Sequence, residues 1–309
     1  MMANEDIQKL ITNIEKVIVG KTESVKLLII GLLTNGHILI EDIPGLGKTM
    51  LSLALAKSIS ADFKRIQATP DLLPTDITGG FVYSPKTGEF DFRKGPVFAN
   101  ILLVDEINRT TPRTQSALLE CMQEYKVTIE GTSFILPWPF MTIATQNPIE
   151  YQGTYALPEA QIDRFLMKIS MGYPSAQEEV KIVSGQKIKH PVEDVVPVMT
   201  LESVLKLQEQ VKKIQISPTV LEYIIKLVSL TRKSTAVKQG ASPRASIAIM
   251  KASCAWAFIE GRDYVIPEDV IKLLPYILKH RIVLHPKAVI SGTTPDLVIE
   301  GILKQTSIS

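Results

Sequence analysis

The chain has 309 residues, 45% hydrophobic and 21% charged, and its 34 basic and 32 acidic side chains leave a net charge of +2. This composition is typical of a globular protein of about two domains, and it gives no electrostatic reason to expect a nucleic acid or an anionic membrane as partner. The N-terminus lacks a signal-peptide pattern, and no apolar stretch approaches the roughly 18 residues of a membrane span, so we expect a cytoplasmic protein with no direct membrane insertion.

Strand-like and helix-like segments alternate through the first half of the chain. After two helical stripes, apolar strand patterns recur with helical patterns between most of them, which favours a doubly wound parallel sheet. Two short hairpins, at residues 81–92 and 126–136, interrupt the alternation and resemble insertions. The strand patterns lie at residues 37–41, 63–67, 100–105, 140–146 and 166–170.

The first strand is followed by the segment Asp42-Ile43-Pro44-Gly45-Leu46-Gly47-Lys48-Thr49. A strand, a glycine loop ending in Gly-Lys-Thr and a helix together form the layout of a phosphate-binding loop, in which backbone N–H groups point at the polyphosphate. Lys48 is expected to reach the β- and γ-phosphates, and the Thr49 hydroxyl to bind Mg²⁺. Asp42 stands where the strict pattern has glycine, and its effect on the start of the loop is open. Taken alone, the Gly-Lys-Thr motif could also be an ordinary helix start after a tight turn.

The apolar strand that ends at Val104 is followed directly by two acids, Asp105 and Glu106. Asp105 is suited to hold Mg²⁺ through water, and Glu106 to polarise the water that attacks the γ-phosphate. Adjacent acids after a strand are otherwise a solvated turn, but their position after a phosphate loop favours an ATPase.

Two further polar residues lie next to later strand patterns. Asn147 ends the strand at 140–146 and is suited to orient the attacking water, the alternative being an ordinary Asn-Pro turn. Arg164 precedes the last strand, and its permanently charged fork suits a developing phosphate charge. A surface ion pair of Arg164 with Asp163 or Glu159 is the alternative.

Helical patterns take over beyond Pro174, at about 201–213, 217–231, 243–260 and 267–279. We therefore predict two domains, an αβα core over residues 1–180 and a helical domain over 190–309. Arg244 lies in the first turn of a helix that begins with Ser242-Pro243, where a cation opposes the helix dipole. A bound anion such as the γ-phosphate would relieve that conflict; a solvent-facing arginine is the alternative.

Together these motifs resemble the AAA+ ATPases, and more narrowly the MoxR family, over about residues 17–284. The narrower resemblance is carried by five segments: Gly36 to Thr49, Arg65 to Gly79, Gly95-Pro96-Val97-Phe98 leading into Val104 to Arg109, Gln115 to Glu124, and His280 to Leu284. In that family Asp in place of the first loop glycine is tolerated.

The resemblance implies a three-layer αβα AAA+ core with a parallel sheet and two hairpin insertions, followed by a small all-helical lid. It implies ATP and Mg²⁺ as cofactors, with Walker A at Lys48 and Thr49, Walker B at Asp105 and Glu106, and sensor 1 at Asn147. Arg164 becomes an arginine finger acting on the neighbouring subunit, and Arg244 a sensor 2 acting within its own subunit. The expected nucleotide contacts are Pro44, Gly45, Leu46, Gly47, Lys48, Thr49, Met50 and Arg244.

Family members form ring hexamers and act as chaperone-like ATPases that remodel or activate a client protein or metalloenzyme complex, often beside a partner with a von Willebrand factor A domain. Two alternatives stay open. The ring could be a motor that translocates nucleic acid, although nucleic acid is disfavoured by the near-neutral charge. It could also be a slow scaffold that assembles when nucleotide binds. Neither the client nor the pore lining follows from the sequence.

Overall fold

A computed structural model describes residues 2–148, 153–185 and 190–306. The helices are α1 (Met2–Glu15), α2 (Thr22–Leu33), α3 (Lys48–Ser58), α4 (Pro74–Thr78), α5 (Pro112–Glu124), α6 (Glu159–Ile162), α7 (Ala176–Gly185), α8 (Leu201–Val211), α9 (Pro218–Lys233), α10 (Pro243–Ile259), α11 (Pro267–Leu278), α12 (Pro286–Ile290) and α13 (Pro295–Gln305). The strands are β1 (Ile38–Glu41), β2 (Phe63–Gln67), β3 (Gly79–Ser84), β4 (Glu89–Lys94), β5 (Ile101–Asp105), β6 (Lys126–Ile129), β7 (Thr132–Ile135), β8 (Met141–Gln146), β9 (Met167–Ile169), β10 (Val237–Gln239) and β11 (Val283–Leu284).

The central sheet has five strands in the described residues, in the order β2-β5-β8-β1-β9, and every neighbouring pair is parallel. The five strand patterns of the sequence all fall in this sheet. Its middle strands read as continuous apolar runs because helices cover both faces. The predicted αβα architecture with a helical C-terminal part is therefore confirmed.

The two predicted hairpins lie outside the sheet as separate antiparallel ribbons, β3–β4 and β6–β7. Phe92 of the first ribbon stacks on Phe134 of the second, with ring centroids 4.1 Å apart. The two insertions therefore form one aromatic unit.

Two apolar clusters sandwich the sheet. One face packs on α5 through Leu118, Leu119 and Met122. The other face packs on α1, α2 and α3, and this cluster continues without a break into α8, α9, α10, α11 and α13. The helical part thus shares its core with the αβα part. Among the described residues, no helix combines the length and apolar character needed to cross a membrane.

Candidate nucleotide-binding site

The phosphate loop leaves β1 and enters α3 through two glycines in left-handed conformation. Gly45 has φ of +86° and Gly47 has φ of +84°, while an added Cβ atom would meet nothing within 4 Å at Gly45 and only Ile18 at 3.8 Å at Gly47. Glycine is thus required here by backbone conformation rather than by space. Both residues turn the chain so that α3 begins with Lys48, and its free N–H groups face the loop.

Asp42, whose role the sequence left open, anchors the start of this loop. Its carboxylate accepts hydrogen bonds from the Ser170 hydroxyl at 2.9 Å and from the backbone N–H of Met171, both at the end of β9. The ammonium group of Lys48 donates to the Asp42 carbonyl oxygen at 2.6 Å. A glycine could offer only the last of these contacts.

Asp105, the last residue of β5, and Glu106, directly after it, lie beside the loop because β5, β8 and β1 are consecutive parallel strands of the sheet. Burial lowers the pKa of Lys48, and the charges of Asp42, Asp105 and Glu106 oppose that shift. Glu106 has φ of +59°, an unfavourable conformation for a residue with a side chain. Thr145 of β8 ties the pair together, since its hydroxyl donates to Asp105 at 3.2 Å and accepts the Glu106 N–H at 2.9 Å.

Residues from the end of β2 complete a polar chain that the site predictions missed. Arg65 donates from Nε to the Asp105 carboxylate at 2.6 Å and from Nη2 to the Gln67 side chain at 3.1 Å. Gln67 in turn donates to Glu106 at 3.2 Å, and Arg109 lies 3.1 Å from the same carboxylate. The sequence could have indicated these residues, because the carboxyl ends of parallel strands line one crevice and β2 ends at Gln67.

Asn147 lies at the same edge of the sheet, directly after β8, and is buried. In the register of the sheet, Gln146 pairs with Glu41 and Ala144 with Leu39. Asn147 therefore follows β8 at the level where the phosphate loop leaves β1, which is the position expected for a residue that faces the γ-phosphate.

A cavity of about 470 Å³ opens next to the loop. Its walls are mostly apolar, as in many small-molecule sites, and besides the loop and Met50 they come from segments that carried no predicted site residue. Beyond the loop and Met50, the lining includes Val17, Ile18, Val19, Tyr173, Pro174 and Ile182.

Arg164 and Arg244 lie at the opposite end of the sheet, where strands β1 and β9 begin. Both line a second cavity of about 220 Å³ together with Gly36 and His37, which precede β1, whereas the phosphate loop follows β1. The four residues of that strand span about 13 Å. α10 thus places Arg244 next to Arg164 and away from its own phosphate loop, an arrangement that does not support its expected action on phosphate charge within its own subunit.

The two arginines differ in their contacts, and in the described part of the chain only Arg244 forms a surface ion pair. Arg164 donates from Nη1 to the Leu119 carbonyl at 2.8 Å, and its buried Nε atom has no hydrogen-bond partner in the described residues. Arg244 is 54% exposed and lies 4.0 Å from the Asp163 carboxylate. Both side chains line the same surface cavity.

Comparisons with known proteins agree with this geometry. Residues 37–167 match the family described as ATPase family associated with various cellular activities (AAA), and residues 229–302 match the AAA lid domain. The chain is 50% identical to the uncharacterized protein YeaC of Bacillus subtilis, over 97% of this chain and 94% of that protein. It is 42% identical to the chaperone MoxR1 of Mycobacterium tuberculosis, over 98% of this chain and 82% of that protein. The crystal structure of a protein assigned as an ATPase from Cytophaga hutchinsonii superposes with a TM-score of 0.92 at 41% identity, covering 100% of this chain and 96% of the other.

Proposed function

This chain belongs to the MoxR family of AAA+ ATPases, and we propose that it hydrolyses ATP in a head-to-tail ring, which family resemblance suggests is a hexamer. One observation carries the proposal. The phosphate loop with Lys48 and the acids Asp105 and Glu106 meet at one edge of the sheet, next to an apolar cavity of about 470 Å³. That cavity suits an adenine base, and the loop suits the phosphates.

The donor set at this edge fits Mg²⁺. The Thr49 hydroxyl and the Asp105 carboxylate are hard oxygen ligands, and Mg²⁺ commonly takes its remaining ligands from water and the nucleotide phosphates. Within the described ranges, no group of three or more His, Cys, Asp or Glu side chains is arranged to hold a metal ion, which agrees with a metal that arrives with ATP. When bound, Mg²⁺ would neutralise charge on the β- and γ-phosphates.

The protein's own residues then have separate tasks. Lys48 binds the β- and γ-phosphates and exchanges its bond to the Asp42 carbonyl for phosphate oxygens. Glu106 polarises the attacking water, and Asn147 orients it. Gln67 donates to the Glu106 carboxylate at 3.2 Å, so it competes with the attacking water for that carboxylate.

Arg164 and Arg244 complete the site of the adjacent subunit. Their cavity is remote from their own phosphate loop, and two guanidinium groups directed at one γ-phosphate would stabilise the charge that develops as its bond to ADP breaks. An arginine supplied in this way is worth about 10³–10⁵ in rate in related enzymes. In such a heterologous contact, one surface of a subunit meets a different surface of the next subunit. Contacts of this type can close a ring.

ATP turnover would drive chaperone-like remodelling of a client protein or metalloenzyme complex in the cytoplasm, with a von Willebrand factor A domain protein as a candidate partner. The similarity to chaperone MoxR1 supports the chaperone class. One observation favours a second candidate, a nucleic-acid motor: Tyr83 and Phe90 on the first hairpin are 53% and 68% exposed and could stack on bases. Turnover stimulated by DNA, with a steep dependence on salt, would favour that candidate.

The test is the ATPase rate per subunit as a function of protein concentration, for wild type, Arg164→Ala, Arg244→Ala and Glu106→Gln. We expect the wild-type rate per subunit to rise with concentration and all three variants to remain flat and low. Glu106→Gln should keep nucleotide binding. A monomer, shown by sizing at the lowest dilution, that hydrolyses ATP at the full rate and is indifferent to Arg164→Ala would overturn the shared site.

A further inference from the structure

Arg281, in the short turn that follows α11, donates hydrogen bonds to the backbone on both sides of Arg164. Its Nη2 atom donates to the carbonyl oxygens of Asp163 at 3.0 Å and Phe165 at 2.6 Å, and its Nη1 atom donates to that of Leu166 at 3.2 Å. A further bond from Nη1 reaches the Ile277 carbonyl within α11 at 2.6 Å. One side chain thus ties the helical part to the short turn that carries Arg164.

The same guanidinium also fixes the neighbour of Arg244. Its Nε atom donates to the Asp163 carboxylate at 2.7 Å. The other oxygen of that carboxylate accepts the hydroxyl of Ser242, the N-cap of α10, at 3.1 Å and lies 4.0 Å from Arg244. The Arg281–Asp163 pair therefore connects the backbone of Arg164 with the first turn of α10, from which Arg244 projects.

Because Arg281 is buried, stabilisation of the fold alone does not explain why an arginine stands at this position. Its side chain is 3% exposed, and a buried ion pair is often no more stable than apolar side chains of similar volume. What the guanidinium adds is geometry, because its planar fork of donors can hold several acceptors at fixed angles and the single ammonium of lysine cannot. The acceptors in this case are the carbonyls on either side of Arg164.

We propose that Arg281 is a positioning residue for hydrolysis in the adjacent subunit, because its contacts hold Arg164 and Arg244 at the geometry needed to reach that subunit's γ-phosphate. The inference rests on the proposed function, in which these two arginines act across the subunit interface. In this role Arg281 acts through Arg164 and Arg244 and does not itself bind the nucleotide. Its effect should appear in kcat of the neighbouring site and not in nucleotide binding by its own subunit.

The first experiment compares Arg281→Lys with a matched control, Arg262→Ala. Arg262 forms another ion pair of the helical part, donating to both oxygens of the buried Asp269 at 2.8 and 2.5 Å, but it has no contact with the Arg164 turn in the described residues. We expect Arg281→Lys to lower kcat about 10²-fold, since a misplacement of about 1 Å can cost that much, with unchanged affinity for ATP. Arg262→Ala should lose thermal stability and keep kcat. Equal losses of kcat in the two variants would overturn the inference.

The second experiment mixes subunits. Arg281→Lys has an intact nucleotide site and misplaced arginines, while Glu106→Gln has a defective site and intact arginines. Each alone should be nearly inactive, and an equal mixture should recover about a quarter of the wild-type rate, because in random head-to-tail rings a quarter of the interfaces join an intact site to intact arginines. If Arg281→Lys does not fold, Asp163→Asn takes its place in the same mixture.

The reference mixture is Arg164→Ala with Glu106→Gln. Recovery there but not with the Arg281→Lys or Asp163→Asn subunits would show that Arg281 acts within its own subunit, which would overturn this inference and leave the proposed function intact. Loss of recovery in the reference mixture would instead overturn the shared site on which both proposals depend. Recovery in both mixtures is the expected result.

Discussion

At the scale of single residues, Asp42 shows why a departure from a consensus can strengthen a site. Its buried carboxylate joins the phosphate loop to Ser170 and Met171 at the end of β9. We predict that Asp42→Gly, which restores the strict loop pattern, lowers ATP affinity about tenfold or more, because hydrogen bonds to a charged group are worth about 1.5–3 kcal/mol each. Titration of the variant with ATP measures the change.

Ser170→Ala is the matched control for Asp42, since it removes one of the two bonds and leaves the carboxylate and the Met171 contact. Its loss of affinity should be smaller than that of Asp42→Gly. If Asp42→Gly binds ATP as tightly as wild type, the anchoring role of this side chain is wrong.

His37 makes stability depend on pH. Burial lowers its pKa to about 4, and the hydrogen bond to the Met122 carbonyl only partly opposes this. Between pH 6.5 and 4 the unfolded chain binds a proton at His37 and the folded protein does not, so stability is complete above pH 6.5 and falls as pH falls. The loss reaches about 3 kcal/mol at about 1.4 kcal/mol per pKa unit. Burial, with the charge of Arg281, lowers the pKa of His280 in the same direction.

The measurement is the free energy of unfolding between pH 7.5 and 4 for wild type and His37→Gln. The variant loses hydrogen bonds and should be less stable at neutral pH, but its stability should fall less steeply with acidification. Parallel curves for the two proteins would contradict the role assigned to His37.

At the scale of elements, the two hairpins should open together. Phe92 stacks on Phe134 across the two ribbons, and Phe81 lies 5.6 Å from Phe92 and 6.5 Å from Phe134 between ring centroids. We predict a coupling of about 0.5–1.5 kcal/mol between Phe92→Leu and Phe134→Leu, the usual range for aromatic pairs. Hydrogen exchange of the hairpin amides reports the free energy of opening. Phe90→Leu combined with Phe134→Leu is the control cycle, and it should be additive.

The elements themselves were predictable where local signals fix them. The five sheet strands follow from apolar runs, and α9 and α10 follow from a serine N-cap with proline in the first helical turn, at Ser217-Pro218 and Ser242-Pro243. A closely related signal, Thr294-Pro295, begins α13, although the predicted helical patterns end at about residue 279. The place of Arg244 was not predictable, because it depends on contacts such as Arg281 with Asp163, 118 residues apart, and periodicity carries no information at that distance.

At the scale of the whole molecule, the αβα part and the helical part should unfold in one transition. One apolar cluster runs from α1, α2 and α3 into α8–α11 and α13, and Gln208 of α8 donates to the Leu32 carbonyl at the end of α2 at 2.7 Å. Domains that bury a large apolar surface against each other lose their independence. The predicted division near residues 180–190 would then separate functions more than folding units.

The two tryptophans allow a direct test without added labels. Trp138 lies in the αβα part and Trp256 in α10 of the helical part, so Trp256→Phe and Trp138→Phe each leave one reporter. In each variant, without nucleotide, we expect the denaturation midpoint from tryptophan fluorescence to coincide with that from far-ultraviolet circular dichroism, as cooperative unfolding requires. A fluorescence midpoint for Trp256 well below the dichroism midpoint would show that the helical part unfolds first. The shared core would then be too weak to couple the two parts, and the link from Arg281 to the Arg164 turn would have to hold without it.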